Sequence, residues 1–120
     1  MTYPIDTRTI MERFHDAFEN HRPDDLDDLI GEDCVLENTT PAPDGARYEG
    51  RGACLAFWKE VASSAKLAFT AEEISAMGDR GIIRWQLRWS ERAADHVRGV
   101  NIMRVRDGKI VEALGYVKGG

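Results

Sequence analysis

A strand-like sequence interrupted by one Asp-Gly pair most strongly constrains the fold of this chain. Residues 100–112 read VNIMRVRDGKIVE, with apolar side chains on both sides of Asp107 and Gly108. Asp and Gly tolerate the positive φ angles that a two-residue hairpin turn requires. The pattern therefore predicts two antiparallel strands that are joined at this Asp-Gly turn.

The composition is that of an ordinary globular domain. The chain has 120 residues, of which 42% are hydrophobic and 31% charged, so we expect one domain over residues 1–120. The formal net charge of −5 disfavours nucleic acid and anionic membranes as partners, because both are bound through clustered Lys and Arg. No apolar run approaches the roughly 20 residues of a membrane helix. The first residues lack a signal-peptide pattern, and we expect a cytoplasmic protein.

The two cysteines lack the spacing of metal-binding or redox motifs. Cys34 and Cys54 are 20 residues apart, which is not a C-x-x-C pair. We interpret them as small, reduced side chains of a core. No other motif indicates a metal ion or a cofactor, and we expect neither.

Apolar residues at helical spacing predict three helices in the first half of the chain. The first helix begins after Asp6 or Thr7, either of which can cap it. The second helix is short, with Pro23 in its first turn and Gly31 at its end. The third helix covers residues 52–65.

One short strand precedes the third helix, and four longer strands follow it. The short strand is predicted over residues 34–38, and the loop after it contains the prolines and glycines of residues 39–50. The longer strands are predicted over residues 66–76, 81–90, 96–106 and 109–118. This order is typical of an α+β fold in which helices pack on one face of a curved antiparallel sheet.

Residues 11–14, 33–38, 50–52 and 104–112 read MERF, DCVLEN, GRG and RVRDGKIVE. In this order and spacing, the four segments resemble the nuclear transport factor 2-like superfamily. The branch is that of the SnoaL-like polyketide cyclases, the ketosteroid isomerases and the limonene epoxide hydrolases. The resemblance covers nearly the whole chain. It implies a cone-shaped, cystatin-like fold, in which a bent sheet wraps around three helices and leaves a deep pocket at its open end. It also implies a homodimer.

The residues that act in ketosteroid isomerases are replaced in this chain. The resemblance places the tyrosine donor at Phe14, the aspartate base at Asn38 and the aspartic acid donor at Asn101. Phe14 cannot donate a hydrogen bond, and Asn38 cannot take up a proton at neutral pH. Asn101 still donates through its amide. These replacements exclude an isomerase of that type.

The relay of limonene epoxide hydrolases is missing as well. The resemblance matches the first aspartate, the arginine and the second aspartate of this relay to Arg88, Gln86 and Gly115, in that order. It matches the tyrosine and the asparagine that hold water to Leu36 and Asn38. Only Asn38 has the required side chain, and this enzyme is excluded too.

The resemblance also predicts which side chains face the pocket. It directs Asn101 inward, and alternation along a strand then brings Gly99 and Met103 to the same face. The predicted ligand-binding residues are Phe14, Phe18, Leu36, Asn38, Trp58, Arg84, Gln86, Arg88, Gly99, Asn101, Met103 and Gly115.

Three of these assignments have plain structural alternatives. Asn38 and Asn101 are, in the first alternative, structural amides that hydrogen-bond each other or backbone groups. Periodicity alone does not choose the inner face of residues 81–90, so Trp85, Leu87 and Trp89 are the alternative to the two arginines and the glutamine. The aromatic residues at helical spacing are also typical of an ordinary core.

The leading hypothesis is a protein that binds a small, mostly apolar molecule, with Asn38 and Asn101 as polar contacts. One alternative is an isomerase, cyclase or hydratase that acts on a small hydrophobic substrate, with His15 or Glu37 as its base. Another is a structural dimerisation module whose cone is filled by side chains. This superfold hosts many functions, and the fold alone does not choose among them.

Overall fold

The computed structural model describes residues 6–118, in which two α-helices lie against a six-stranded sheet. The first five residues, which bear on the signal-peptide prediction, are outside this range. The helices are α1 (Thr7–Glu19) and α2 (Arg51–Ser63). The strands are β1 (Ile30–Glu37), β2 (Arg47–Glu49), β3 (Ala68–Met77), β4 (Arg80–Arg88), β5 (His96–Arg106) and β6 (Lys109–Val117). No described helix has the length and apolar character to cross a membrane.

The strands form one curved, open sheet in the order β2-β1-β6-β5-β4-β3. β1 runs parallel to β6, and every other neighbouring pair is antiparallel. The last four strands form a meander of consecutive neighbours. The predicted α+β class is confirmed, and the sheet is antiparallel as predicted except for the parallel pair β1 and β6.

The predicted hairpin turn joins β5 to β6. Asp107 and Gly108 have φ angles of 54° and 75°, and Arg106 pairs with Lys109 across the turn. Two successive positive φ angles fit the twist of antiparallel strands, and Asp and Gly accept them at low cost. This local prediction is confirmed.

The prediction of three helices is wrong, because the second one is a single 3₁₀ turn at Pro23–Leu26. Pro23 and the residues after it start this turn as expected. The chain then enters β1 at Ile30, which pairs with Ile110 of β6. Leu26, Leu29 and Ile30 are all buried. Ile30, however, is buried as part of β1 and not as part of a helix.

The loop predicted over residues 39–50 contains a short strand that the sequence did not indicate. β2 has only three residues and pairs with the end of β1, with Tyr48 opposite Leu36. Its side chains are charged or half-buried, and the prolines and glycines before it favour a loop. Pairing with β1 determines its conformation.

One apolar core lies between the helices and the inner face of the sheet. α1 presents Ile10, Met11, Phe14, Ala17 and Phe18 to it, and all five are buried. Asp6 caps this helix by accepting a hydrogen bond from the Thr9 amide at 2.8 Å. The predicted first helix and its apolar face are therefore confirmed.

A glycine on β4 allows α1 to approach the sheet closely. A Cβ atom at Gly81 would lie 2.4 Å from Met11 Sδ. Cys34 and Cys54 lie on β1 and α2 in the same core, and both are buried and unpaired, as the sequence predicted.

A matched pair of methionine variants tests where the core lies. Met103 is fully buried on β5, whereas Met77 is 82% exposed at the end of β3. We expect Met103→Ala to lower the free energy of unfolding by about 2–5 kcal/mol, because it leaves a cavity. Met77→Ala should change it by less than about 0.5 kcal/mol. Urea denaturation measures both, and equal losses would contradict this assignment of the core.

Candidate functional site

A cavity opens between the helices and the inner face of the sheet. Its volume is about 410 Å³, and most of its wall is aromatic or aliphatic. α1 and α2 supply one wall, and β3 to β6 supply much of the rest. Residues 38–40, which follow β1 and are partly exposed, complete the lining. Such a wall suits a mostly apolar molecule.

Five aromatic rings form a continuous series of contacts along this wall. From Trp58 to Phe14 the ring centroids are 5.0 Å apart, and from Phe14 to Phe18 they are 4.9 Å apart. Phe69 lies 5.5 Å from Phe18 and 6.3 Å from Trp85. The rings meet at tilted or edge-to-face angles, which are favourable for aromatic pairs. They join α2, α1, β3 and β4 into one apolar surface.

The indole of Trp85 fixes the orientation of the Asn101 amide. Trp85 Nε1 donates a hydrogen bond to Asn101 Oδ1 at 3.1 Å. An indole N–H can only donate, so the amide oxygen faces Trp85 and the NH₂ group points away from it. Asn101 lines the cavity. Trp85 thus occupies one lone pair of this oxygen, and the NH₂ group remains as a donor for a bound molecule.

Two glycines make room for this arrangement. Gly99 lies directly opposite Trp85, and a Cβ atom there would lie 2.5 Å from Trp85 Cζ2. Gly115 lies directly opposite Asn101, and a Cβ atom there would lie 3.4 Å from Asn101 Oδ1. The absent side chains leave space for the Trp85 ring and for a molecule beside the amide.

His15 is a second polar group on the cavity wall. It is only 7% exposed on α1, and its Nε2 lies 3.2 Å from Glu19 Oε1. A carboxylate only accepts, so Nε2 carries the hydrogen and Nδ1 keeps its lone pair. Burial lowers the pKa of His15, although Glu19 and Asp16 act to raise it. The ring is therefore neutral at pH 7.

Seven of the predicted ligand-binding residues line the cavity: Phe14, Phe18, Leu36, Asn38, Trp58, Asn101 and Gly115. Their roles in binding stay predictions. Asn38 is half-buried near the surface, and its Nδ2 lies 3.5 Å from Thr40 Oγ1. The site thus brings together aromatic side chains from the helices and polar groups from β1 and β5.

The predicted inward direction of Arg84, Gln86 and Arg88 is wrong. The inner face of β4 carries the alternate residues instead, with Trp85 and Leu87 on the cavity wall. Arg84 pairs with Glu72 and Glu73 of β3, at 3.5 Å and 3.3 Å. Burying an unpaired guanidinium would cost several kcal/mol, whereas the indole of Trp85 and the side chain of Leu87 gain from burial.

Trp89, which belonged to the alternative assignment, does not complete the inner face. It lies just beyond β4 and is 45% exposed. The alternation of inward and outward side chains ends with β4 at Arg88, so it does not apply to Trp89.

Two other predicted residues share the inner face but do not line the cavity. Gly99 is covered by the Trp85 ring, and Met103 is fully buried in the closed part of the core. The alternation of side chains along β5 correctly predicted that both residues lie on its inner face. It could not show which part of that side is filled by neighbouring side chains.

The two candidate bases differ in their surroundings. His15 and Glu37 both line the cavity. Arg47 Nη1 donates to Glu37 Oε2 at 2.9 Å, so this carboxylate is already paired across the edge of the sheet. Nδ1 of His15 has no partner among residues 6–118, so His15 is the better placed of the two.

Sequence reasoning missed several residues of the wall, which are Thr39, Thr40, Phe57, Val61, Leu67, Phe69 and Ile83. Ile83 could have been found by choosing the other face of β4, on which every second residue is apolar. The two threonines belong to a loop without a periodic pattern. No local signal directs them to the cavity.

The described part of the chain contains no group of three or more His, Cys, Asp or Glu side chains that could hold a metal ion. The polar side chains at the cavity carry amides, hydroxyls, one imidazole and the Glu37 carboxylate. They suit hydrogen bonding to an organic molecule.

A family model decides the relationship of this chain to known proteins. The model of the SnoaL-like domain matches residues 11–113. The chain belongs to the SnoaL-like family. This SnoaL-like protein is also 51% identical to an NTF2-like protein of unknown function from Mesorhizobium loti, with 98% of each chain covered and a TM-score of 0.86. The resemblance inferred from the sequence is confirmed.

More distant solved structures share the fold. A candidate ketosteroid isomerase from Kribbella flavida is 19% identical, covers 95% of this chain and 78% of its own, and has a TM-score of 0.79. An LEH-like epoxide hydrolase from M. tuberculosis is 20% identical, covers 93% and 82%, and has a TM-score of 0.71. None of the curated proteins matches the sequence. Identities this low indicate a common fold only.

The buried histidine predicts a pH-dependent stability. Unfolded His15 takes up a proton near pH 6.5, whereas burial shifts protonation of the folded form to lower pH. Between these values the unfolded state binds more protons, so the free energy of unfolding falls as the pH falls. Urea denaturation between about pH 7 and about pH 5 should show a smaller fall in His15→Phe. Identical pH dependence in both proteins would contradict the buried, neutral imidazole.

Proposed function

We propose that this SnoaL-like protein binds a small, mostly apolar molecule in the cavity, with amide contacts from Asn38 and Asn101. The observation that supports it most is a cavity of about 410 Å³ with an aromatic wall and few polar groups. Small-molecule sites commonly combine apolar walls with a few convergent polar atoms. The reduced, buried cysteines fit the cytoplasmic location that we include in the proposal.

The cavity argues against a purely structural module with a filled interior. Apolar space of this size costs stability, because the side chains around it lose contacts. A bound molecule would restore those contacts. The volume is therefore easier to understand as a binding site than as a packing defect.

The side chains around the cavity do not support catalysis of the ketosteroid isomerase type. Phe14 lies in the aromatic wall and has no hydroxyl group, and Asn38 cannot act as a base near pH 7. Gly115, Gln86 and Arg88 likewise do not form the relay of a limonene epoxide hydrolase, since two of them lie on the outer face of β4. These replacements favour binding over either reaction.

A second candidate function is catalysis by another base, and His15 is the group that favours it. Its Nδ1 is unprotonated, and Glu19 orients the ring through Nε2. Such an imidazole can accept a proton from a bound substrate. Turnover that disappears in His15→Phe while ligand binding persists would support this alternative over binding alone.

Thermal unfolding in the presence of a compound panel tests the binding proposal. The panel contains neutral terpene-like and steroid-like molecules beside aromatic carboxylates of similar size. Neutral compounds should raise the melting temperature, because a ligand of the native state stabilises it by mass action. Asn101→Leu should weaken this effect by about three- to tenfold in Kd, as expected for one lost hydrogen bond.

Arg84→Gln is the matched control for that experiment, since Arg84 pairs with Glu72 and Glu73 outside the cavity. It should leave the affinity unchanged. The opposite result is that only carboxylates stabilise the protein and that Arg84→Gln abolishes this stabilisation. It would contradict the proposal that the binding site is the apolar cavity.

We also keep the homodimer as a proposal, with the outer face of the sheet as its interface. Ile82, Ile102 and Leu114 lie directly opposite one another on β4, β5 and β6, and Tyr116 nearby is 52% exposed. A contiguous apolar row on an otherwise charged surface is typical of an interface. Ion pairs such as Arg98 with Glu72 border this row.

Analytical ultracentrifugation of a charged variant tests the dimer. Ile82→Lys should shift the protein from dimer to monomer, because a lysine in an apolar interface must be desolvated. Ala56→Lys is the control, since this residue is exposed on α2, which packs on the opposite face of the sheet. A wild-type protein that sediments as a monomer would contradict the proposal.

A further inference from the structure

One ionisable ring lies on the wall of the cavity and is almost completely covered by protein. His15 on α1 is 7% exposed, and its Nε2 lies 3.2 Å from Glu19 Oε1. Its Nδ1 has no hydrogen-bond partner among residues 6–118. Every fully buried nitrogen or oxygen of a non-exposed side chain in this range has a partner, so Nδ1 keeps some accessible surface. What fills the cavity therefore determines what this atom contacts.

The carboxylates that act on this imidazole belong to its own helix. Burial lowers the pKa of His15, although Glu19 and Asp16 both favour the protonated ring. The side chain of Glu19 is 47% exposed, so water screens its charge, and Asp16 is already paired with Arg22. The loss of hydration outweighs both carboxylates. Access of the ring to water therefore controls its protonation more than its charged neighbours do.

The elements packed against α1 bring little further charge to the ring. They are α2, the turn at Pro23–Leu26, β3 and β4. Their charged side chains, none of which lines the cavity, are Arg51, Lys59 and Glu60 on α2, Asp24 and Asp25 in the turn, Glu72 and Glu73 on β3, and Arg80, Arg84 and Arg88 on β4. Among the described residues, Glu37 is the one other charged side chain of the cavity wall, and Arg47 pairs with it at 2.9 Å.

An apolar molecule in the cavity would remove the remaining hydration of the His15 ring. A protonated imidazole carries a hydrogen on Nδ1 and a positive charge, and both need water or an acceptor. A neutral imidazole loses much less when an apolar surface covers it, because it has no charge to desolvate. The bound molecule and the proton therefore compete, although they do not occupy the same point in space.

We propose that His15 couples binding in the cavity to proton uptake, so that the site holds an apolar molecule near neutral pH and releases it in mild acid. The inference rests on the proposed binding function and adds a means of regulating it. It requires of the ligand only a neutral, mostly apolar surface beside Nδ1.

The direction of the pH effect follows from which form of the protein binds the proton more readily. The free protein protonates His15 at a higher pH than the complex does, because its ring still meets water. In the pH range between these two points the free protein carries more protons than the complex. A falling pH then favours the free protein, and the Kd rises. Above this range the ring is neutral in both forms, and the Kd does not depend on His15.

The experiment measures the affinity of the full chain for N-phenylnaphthylamine as a function of pH. This probe is apolar, stays neutral in mild acid and becomes fluorescent in apolar surroundings. Fluorescence titrations between about pH 8 and about pH 5 cover the range in which a histidine changes its charge and most carboxylates do not. We expect the Kd to be constant at the alkaline end and to rise as the pH falls. If the probe lowers the pKa of His15 by about one, this rise reaches about tenfold.

Two histidine variants show which ring is responsible. In His15→Phe the probe should bind with the same Kd throughout this pH range, because the titrating group of the wall is gone. His96→Gln is the matched control and should keep the pH dependence of the wild type. His96 lies outside the cavity, and its Nδ1 is 2.7 Å from the Ala93 carbonyl oxygen.

NMR titration of the imidazole protons gives a second readout that does not depend on any variant. The chain has three histidines, and the spectrum of His15→Phe identifies the signal of His15. The pKa of His15 should be lower in the protein saturated with probe than in the free protein. The titration curves of His21 and His96, which do not line the cavity, should be the same in both.

Circular dichroism at each pH separates release of the probe from unfolding, and His15→Gln replaces His15→Phe if that variant does not fold. A Kd that is independent of pH, or that falls in acid, would overturn the coupling and leave the binding function intact. The same holds for a His15 signal whose titration the probe does not change. Failure of the probe to bind at any pH would contradict the proposed function itself, and the coupling with it.

Discussion

The position of the Trp85 ring is the constraint on which the site depends. The ring occupies the space above Gly99, and its N–H holds the oxygen of Asn101. A large indole in that position determines which face of β4 is inside. It thereby directs Arg84 to its carboxylate partners on the outer face. The shape of the wall beside Gly99 and the orientation of the Asn101 amide both depend on this one aromatic side chain.

The sequence predicts local features of the fold well and non-local features less well. The hairpin at Asp107 and Gly108 and the capped first helix depend on a few consecutive residues, and both are confirmed. The prediction of a second helix was wrong because Ile30 pairs with β6, a strand far along the chain. β2 was not predicted for the same reason. Its own composition does not favour a strand, and it is one because it pairs with β1.

The site was predictable where a family pattern or strand alternation applied. Asn101 and Phe14 were both found through the resemblance. The face of β4 could not be chosen, because Arg84 and Trp85 alternate equally well in either direction. His15 was recognised only as a possible base, because nothing local shows that its ring reaches the cavity and that Glu19 takes one of its nitrogens.

The parallel pairing of β1 with β6 has a consequence for how the molecule assembles. Ile30 pairs with Ile110 and Leu36 with Ala113, so strands from opposite ends of the chain are neighbours in the sheet. Contacts between distant parts of a sequence form slowly, because a long loop must close first. During synthesis β1 must wait for the last strand to emerge. The part of the cavity wall that β1 carries is therefore completed late, and an incomplete chain has no finished cavity.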